Sequence, residues 1–229
     1  MATRSLDGAS VIVTGAGGGI GRHIARQLAD SGARLTLAAR DVNNLESLGL
    51  NATLVSADLR DAEAGATIVG AALSANHQLD GLVNAAGVVA FGPLLDTDDA
   101  VIEELFLTNV VGPLWLMRAA LPALTESRGF IANISAVVAE QPLAGMAAYA
   151  ASKAALTAAD RALARELRAA GISVTDARPP HTETGLADRP IAGTAPRLRE
   201  GLRPDAVARR IVAAIIAGER EIPAEAFTA

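Results

Sequence analysis

The chain contains no cysteine, and this absence excludes two kinds of protein. Without a thiol among its 229 residues, it forms neither a disulfide framework of the secreted type nor a thiolate metal site. We therefore expect no metal centre in this protein.

Excess positive charge and long apolar runs are also missing. The 20 Lys and Arg residues are outnumbered by 25 Asp and Glu residues, so the basic surface that nucleic acid requires is not expected. No continuous apolar run reaches the roughly 18 residues that span a membrane. Residues 1–8 lack the apolar stretch of a signal peptide. We expect no nucleic-acid partner, no membrane association and, by elimination, a cytoplasmic protein.

What the chain does contain is a regular alternation of short β-branched runs and helical patterns. Hydrophobic residues make up 51% of the sequence, and there are 21 glycines. The pattern predicts six strands, at 10–14, 34–39, 53–57, 81–85, 130–135 and 173–177. Helices are predicted between and after them, at 20–31, 62–75, 98–123, 147–170 and 204–217.

This alternation predicts one α/β domain over residues 1–229. Strands and helices in units of about 30 residues favour a doubly wound parallel sheet, a Rossmann fold of six to seven strands with helices on both faces. Only residues 178–202, rich in Pro, Gly and Thr, lack clear periodicity. Such a loop in a compact domain is more often functional than not, and we expect a short substrate loop at about 181–203.

A glycine-rich turn joins the first predicted strand to the first helix. Glycine permits a positive φ in a tight turn and lets the backbone approach a phosphate closely. The helix that follows presents unpaired N–H groups and a partial positive charge to that phosphate. The position of the turn within a βαβ unit favours nucleotide binding over a merely flexible turn. The candidate residues are Thr14, Gly15, Gly17, Gly18, Gly19, Ile20 and Gly21.

A second motif places a tyrosine and a lysine on one face of a predicted helix. Tyr149 and Lys153 are four residues apart, which is about one helical turn. A nearby ammonium favours the phenolate and lowers the pKa of a tyrosine. Tyr149 is therefore the candidate acid or base for moving a proton to or from a carbonyl or alcohol, with Lys153 as its electrostatic support.

Together these two motifs resemble the short-chain dehydrogenase/reductase family over about residues 8–223. The resemblance implies an NAD(P)-dependent oxidoreductase in which Lys153 also binds the nicotinamide ribose and Asn109 holds a proton-relay water. Asn109 has apolar neighbours in sequence and is expected to be buried. The remaining residues that the resemblance places at the cofactor are Asp58, Leu59, Asn84, Ala85, Ala86, Gly87, Pro179 and Thr184.

The end of the second strand bears on which nicotinamide cofactor binds. In the family, an acid at the position of Ala39 marks NAD preference, and here that position is apolar. Arg40 follows and could pair with a 2′-phosphate in forked geometry, although an exposed loop arginine is the alternative. Asp41 is a competing acid that lies one residue too far along. NADP(H) is therefore the expected cofactor, with NAD(H) possible.

The chain departs from the family pattern at two positions near the site. The catalytic serine of the family aligns without a gap to Ala136. Either the loop after it carries an extra residue and Ser135 orients the carbonyl, or the serine is missing, since a one-residue shift turns a strand side chain to the opposite face. Pro180 replaces a glycine and requires a different loop path. His181 beside it is interpreted as a solvated residue, with a substrate contact as the alternative.

Substrate and assembly are predicted only in outline. Pocket residues are expected from 88–96, 137–148 and 181–200, which are mostly apolar and suggest a hydrophobic or mixed carbonyl or alcohol. Glu140, Arg189 and Arg197 leave a charged substrate open. The family resemblance implies a homodimer or homotetramer built on helices 98–123 and 147–170; a wide core face is the alternative. The candidates for the apolar lining are Val88, Val89, Phe91, Val137, Val138, Leu143, Met146 and Leu186.

The functional prediction is hydride transfer between NADP(H) and a carbonyl/alcohol pair, with Tyr149 as general acid/base. One alternative is a nucleotide-binding sensor or partner-binding protein with little turnover, which Ala136 and Pro180 favour. A third option is another reaction, such as dehydration or epimerisation, on the same Tyr149 and Lys153.

Overall fold

The computed structural model of the chain describes residues 3–227 and shows a single seven-stranded sheet in which all neighbouring strands are parallel. The strand order is β3-β2-β1-β4-β5-β6-β7, so the predicted doubly wound sheet is confirmed. Residues 1, 2, 228 and 229 of the expected domain lie outside the described residues. The strands are β1 Ser10–Thr14, β2 Arg34–Ala39, β3 Ala52–Ser56, β4 Gly81–Asn84, β5 Phe130–Ile134, β6 Ser173–Ala177 and β7 Glu221–Ile222.

Within residues 3–227, seven α-helices connect these strands. The helix predicted at 98–123 is divided by a π-helical segment, Leu107–Val111, and a short helix that the sequence pattern did not predict follows β2. The helices are α1 Gly19–Asp30, α2 Val42–Glu46, α3 Ala64–Asn76, α4 Asp99–Phe106, α5 Gly112–Ser127, α6 Ala147–Glu166 and α7 Pro204–Ala217.

Two apolar layers cover the two faces of the sheet. Val13 of β1 faces a cluster that contains Ile24 of α1 and Ile211 of α7. Its neighbour Ile12 faces the other cluster, which contains Leu116 of α5. Successive residues of a strand point to opposite faces, and both faces of this sheet are buried, as a parallel sheet requires.

The order in which strands are added to the sheet reverses at β1. This strand pairs with β2 on one side and with β4 on the other. A crevice opens at the carboxyl ends of the strands where such a reversal occurs, and ligands of open α/β sheets bind there. The residues that follow Thr14 and Asn84 therefore lie at the expected binding site.

One helical stretch has the length and composition to cross a membrane. An 18-residue window within Asp99–Ser127 has a mean hydropathy of 1.4, and 39% of it is buried in the fold. Part of the stretch packs in the core, since Leu116 and Met117 of α5 are almost fully buried against the sheet. A buried core helix passes the same test, so the stretch is weak evidence for a membrane span.

Candidate active site

Two glycines of the turn after β1 are required by packing. Gly15 adopts a φ of +64°, and a Cβ built on it would lie 2.5 Å from the backbone nitrogen of Ala86. A Cβ on Gly21 would collide with the carbonyl group of Gly15. These glycines let the turn fold tightly against α1 and the end of β4.

The glycines between them lie at the start of α1. No side chain within residues 3–227 caps this helix, whose N-cap is Gly18, so its first N–H groups are available to an anion. Gly17, Gly18 and Gly19 all line a cavity. Thr184 packs directly onto Gly19, where a Cβ would collide with its side chain. The turn thus has the form of a phosphate cradle with Thr184 at its edge.

The cavity has a volume of about 630 Å³ and extends from the glycine turn to Tyr149. Most residues predicted to bind the cofactor line it, whereas Gly21, Asn84 and Asn109 lie behind its wall. The predicted residues in the lining are Thr14, Gly15, Gly17, Gly18, Gly19, Ile20, Arg40, Asp58, Leu59, Ala85, Ala86, Gly87, Ser135, Tyr149, Lys153, Pro179 and Thr184.

Arg40 and Asp41 differ in whether their side chains already bond to other groups of the protein. Asp41 is the N-cap of α2, and its carboxylate accepts hydrogen bonds from the backbone N–H of Asn43 at 3.0 Å and the side chain of Asn44 at 3.1 Å. Arg40 is exposed at the cavity. Within the described part of the chain, its guanidinium makes no ion pair. Of these two charged side chains, the cation Arg40 is therefore the one left free to meet an incoming ligand.

Asp58 lies at the same end of the cavity and is held by a neighbouring arginine. Its Oδ2 is 2.7 Å from Nη2 of Arg60. The side-chain hydrogen bond from Arg60 lowers the pKa of Asp58 against the opposing effect of burial. Asp58 is therefore ionised at neutral pH and available as a hydrogen-bond acceptor.

Tyr149 and Lys153 lie at the opposite end of the cavity, on α6. Both are nearly buried, with exposed fractions of 6% and 5%. The Nζ atom of Lys153 donates to the carbonyl of Ile134 at 2.9 Å. Within residues 3–227, no hydrogen bond joins the Tyr149 hydroxyl to Lys153. The motif therefore brings the two side chains to one site without linking them directly.

The expected influence of Lys153 on Tyr149 is wrong for this structure. Burial raises the pKa of Tyr149 above its ordinary value. Burial also lowers the pKa of Lys153 to about 8, although Asp176 and Asp160 oppose this shift. Desolvation, which disfavours the charged form of each group, is the largest cause of both shifts. Tyr149 is consequently a neutral phenol in this site, suited to donating a proton.

Asn109 is fully buried, as the sequence predicts, and lies in the π-helical segment. Its Oδ1 accepts the backbone N–H of Val88 at 2.9 Å, and its Nδ2 donates to the carbonyl of Val88 at 3.0 Å and to Ser152 at 3.1 Å. A Cβ on Gly87 would lie 3.2 Å from its Oδ1 and 3.3 Å from Nζ of Lys153. Asn109 therefore lies next to Lys153 and fixes the loop after β4. Single π-turns in helices often mark functional positions.

The Ser135 hydroxyl is directed into the protein. It donates to the backbone carbonyl of Lys153 at 3.0 Å and accepts from Thr157 at 3.0 Å. Both partners are on α6, and Ser135 is 4% exposed. Ala136 also lines the cavity. The structure therefore favours the alternative in which Ala136 occupies the serine position, and a carbonyl-orienting role for Ser135 is not supported.

The far end of the cavity is apolar, as the sequence predicts, and all eight predicted apolar residues line it. Of the charged candidates, Arg189 lines it, whereas Glu140 and Arg197 do not. Glu140 instead pairs with Arg178 at 2.9 Å.

Residues 181–202 cross over the cavity and are held in place by backbone hydrogen bonds. Ile191 donates its N–H to the carbonyl of Val89 at 2.9 Å, and Phe91 donates to the carbonyl of Ala192 at 3.0 Å. The two ends of the segment are joined to each other, since Leu202 donates to the carbonyl of His181 at 2.8 Å. The segment is therefore a tied covering over the substrate end of the cavity.

Some lining residues were not identified from the sequence. His181 lines the cavity and lies 3.3 Å from Glu183, a position that favours the alternative of a substrate contact over a merely solvated residue. Leu198 lies within the range 181–200 that the sequence predicts at the pocket, whereas Asn44 and Thr108 line the cavity outside the expected ranges. Thr108 had a signal, since it precedes Asn109; Asn44 had none, because its position depends on how the segment after β2 folds back.

Comparison with known proteins identifies the same family over most of the chain. Residues 9–192 match the family model described as short chain dehydrogenase. A galactitol 2-dehydrogenase (L-tagatose-forming) from Cereibacter sphaeroides is 38% identical over 190 residues, which cover 79% of this chain and 74% of the relative. A short chain dehydrogenase from Pseudocercospora fijiensis is 34% identical over 79% of this chain, and the match covers 62% of that longer protein.

Solved structures of similar proteins contain either nicotinamide cofactor. A metagenomic short-chain oxidoreductase in complex with NADP is 33% identical, with a TM-score of 0.81 over 96% of this chain and 98% of that one. A short chain dehydrogenase/reductase from Burkholderia phymatum in complex with NAD is 27% identical, with a TM-score of 0.86 over 96% of this chain and 90% of that one.

Proposed function

The chain belongs to the short-chain dehydrogenase/reductase family of NAD(P)-dependent oxidoreductases, and on that premise we propose that it transfers hydride between NADP(H) and a carbonyl/alcohol pair, with Tyr149 as the acid/base. One observation carries the proposal: a single cavity joins the glycine turn to the buried pair Tyr149 and Lys153. A dinucleotide bound on the turn would thus extend toward a proton donor.

The cofactor half of the proposal is supported by the donor groups at the glycine turn. The free N–H groups at the start of α1 fit a pyrophosphate, and the exposed guanidinium of Arg40 fits a 2′-phosphate. Asp41, which could otherwise accept a ribose hydroxyl, is engaged as the cap of α2. This distribution of charge favours NADP(H) over NAD(H). When bound, the cofactor supplies or accepts the hydride.

The chemical half of the proposal follows from the ionisation of the two buried groups. Neutral Tyr149 donates its phenolic proton to a carbonyl oxygen in reduction and receives it back in oxidation. The ammonium of Lys153 stabilises the phenolate that this transfer leaves. Asn109, next to Lys153, holds the loop after β4 in place and is the candidate for holding a water that relays the proton toward solvent.

The substrate end supports a hydrophobic or mixed carbonyl compound. Its walls are aliphatic, apart from Phe91 and Met146, and a few polar groups are placed at its edge. Such sites bind apolar substrates and use the polar groups to orient them. His181 and Arg189 are the polar candidates here.

A second candidate function has a specific observation in its favour. Ala136 lacks the hydroxyl that would orient a carbonyl, and Ser135 does not replace it. A cofactor-binding sensor with little turnover needs no such hydroxyl. Tyr149 and Lys153 argue against this candidate, since a binding protein has no use for a buried proton donor.

The two candidates are separated by binding and turnover measurements on the purified protein. We expect tight NADPH binding, weaker NADH binding, and NADPH oxidation with at least some of a panel of aliphatic and aryl ketones and aldehydes. NADPH binding without turnover on the whole panel would support the sensor. Absence of binding to either nucleotide would refute both.

A further inference from the structure

A layer of buried polar side chains lies between α6 and the sheet, behind the catalytic end of the cavity. Asn133 of β5 and Asp176 of β6 are paired in register, so their side chains emerge on the same face. Asn133 donates a hydrogen bond to Asp160 of α6, which identifies that face as the one α6 covers. Asp160 and Asp176 are 2% and 1% exposed.

Asp160 ends a chain of hydrogen bonds that crosses the sheet. Thr14 donates to Asn84 at 3.4 Å, Asn84 donates to Asn133 at 2.7 Å, and Asn133 donates to Oδ1 of Asp160. The second oxygen, Oδ2, is buried without a hydrogen-bond partner in the part of the chain that the structure describes. A buried carboxylate oxygen left in this way is costly, which calls for an explanation.

Asp176 shares a buried arginine with two other acids. The guanidinium of Arg178, 2% exposed, lies 3.1 Å from Asp176, 2.9 Å from Glu140 and 2.7 Å from Glu221. Three carboxylates therefore surround one cation. Arg178 does not by itself neutralise this part of the layer.

The buried cation on the same helix is Lys153. Asp160 follows it by seven residues on α6, which is two turns and about 10 Å along the helix axis. Residues at this spacing lie on one face of a helix. The buried ammonium of Lys153 and the buried carboxyl groups of Asp160 and Asp176 thus belong to one layer.

We propose that Asp160 and Asp176 are positioning residues, whose carboxyl groups act together to keep the Lys153 side chain as an ammonium ion at the active site. They contact neither substrate nor cofactor and act only through Lys153. The inference rests on the proposed function only in assigning Lys153 to the reaction.

The two acids favour the charged form of Lys153, and this follows from the opposing effects of burial and of neighbouring charges on the pKa of each group. Burial lowers the pKa of Lys153, and Asp176, followed by Asp160, raises it. Burial and the neighbouring charge of Asp176 raise the pKa of Asp160 well above its ordinary value. Burial raises the pKa of Asp176 despite Arg178. The pair thus holds a proton more readily than surface acids do and ionises most readily when Lys153 is charged.

Charged and titratable groups on the neighbouring elements also affect the pKa values of Lys153 and of the acid pair. At an effective dielectric constant of about 20, a unit charge at about 10 Å changes a pKa by about one unit. The groups around Lys153 and the acid pair are Tyr149 and Arg161 on α6, Arg178 after β6, Glu140 before α6 and Glu221 on β7.

The composition of the chain makes Lys153 directly observable. It is the only lysine in the sequence. Protein grown with ¹⁵N-lysine therefore gives one side-chain signal in an NMR titration, measured without cofactor or substrate. Thermal unfolding of each variant reports whether it is folded.

We expect the Lys153 titration midpoint to fall by about one pH unit in the double variant Asp160→Asn/Asp176→Asn. Each single variant should shift it less, because the remaining carboxyl ionises more readily once its neighbour is gone, and Asp176→Asn should exceed Asp160→Asn. Glu166→Gln, which removes an exposed carboxylate from the same helix, should leave the midpoint unchanged.

A folded double variant with the wild-type midpoint would overturn the proposal and leave the acids a purely structural role. If the double variant does not fold, the single variants decide: an unchanged midpoint in both overturns it equally. Carbonyl reduction provides a second readout, since its loss at high pH should begin about one pH unit lower in the double variant. Because the NMR titration needs no turnover, failure of the proposed function leaves it interpretable.

Discussion

Ser135 and Ala136 are adjacent in sequence, and which of them faces the cavity decides whether a hydroxyl lies beside Tyr149. The sequence left both arrangements open. The structure turns Ser135 into the hydrogen-bonded layer under α6 and leaves Ala136 at the cavity. Periodicity alone could not decide between them, because the orientation depends on which partner on α6 the hydroxyl meets.

Replacing Ala136 by serine tests this assignment. The backbone there is extended, and any residue adopts that conformation, so a hydroxyl can be added without strain. A donor aimed at the carbonyl oxygen should raise kcat/KM for a ketone by roughly 10- to 100-fold. Ala139→Ser, one turn away and outside the cavity lining, should have no effect. Equal activities for both variants would argue against the assignment.

Arg40 is the residue on which the cofactor preference depends. Removing its guanidinium in Arg40→Ala should weaken NADPH binding by roughly 10- to 100-fold, since a charge-assisted hydrogen bond contributes about 1.5–3 kcal/mol. NADH has no 2′-phosphate and serves as the control ligand, with an unchanged Kd. Isothermal titration calorimetry provides both values. Tighter binding of NADH than of NADPH by the wild-type protein would contradict the NADP(H) assignment.

At the scale of elements, the β1–α1 turn shows how closely sequence and structure can agree. Its glycines could be recognised because each satisfies a local requirement: a positive φ, a close backbone approach or a free helix N-terminus. The helix α2 could not be predicted, because a five-residue element has no periodicity and is held by its Asp41 cap. The buried charges of Asp160, Asp176 and Arg178 were equally unpredictable, since only the packing of α6 on the sheet buries them.

Two glycines with the same φ allow the free-energy cost of a left-handed backbone conformation to be measured separately from the cost of a steric collision. Gly15 and Gly49 both have a φ of +64°, but a Cβ on Gly49 would meet nothing within 4 Å. Gly49→Ala should therefore lower the free energy of unfolding by about 1–2 kcal/mol. Gly15→Ala adds a backbone collision and should cost at least about 3 kcal/mol. Denaturant unfolding measures both, and equal losses would show that Gly15 is not required by packing.

At the scale of the whole molecule, α4 and α5 bury only part of their apolar surface within the fold. We propose that a second copy of the chain covers the rest in a homodimer or homotetramer. Light scattering at micromolar concentration should give at least twice the chain mass. Leu114→Glu, on the exposed side of α5, should reduce it, whereas Leu95→Glu, in a short 3-10 helix before α4 where Leu95 is 94% exposed, should not. A monomeric wild-type protein would contradict this proposal.

The doubly wound parallel sheet could be inferred from the sequence, because alternating strands and helices allow few right-handed arrangements. The covering of the substrate end could not. Residues 181–202 have no periodicity, and their path depends on hydrogen bonds to residues 89–91, far away in sequence. The sequence therefore predicts the cofactor end of the cavity more closely than the substrate end.

Transfer of deuterium from NADPH labelled at its reactive carbon tests the central claim most directly. With a ketone that the wild-type protein reduces, mass spectrometry should find one deuterium on the carbinol carbon of the product. Tyr149→Phe should still bind NADPH but form this product roughly 10²- to 10⁴-fold more slowly, because the proton donor is gone. Unlabelled product, or equal rates for the two proteins, would contradict hydride transfer assisted by Tyr149.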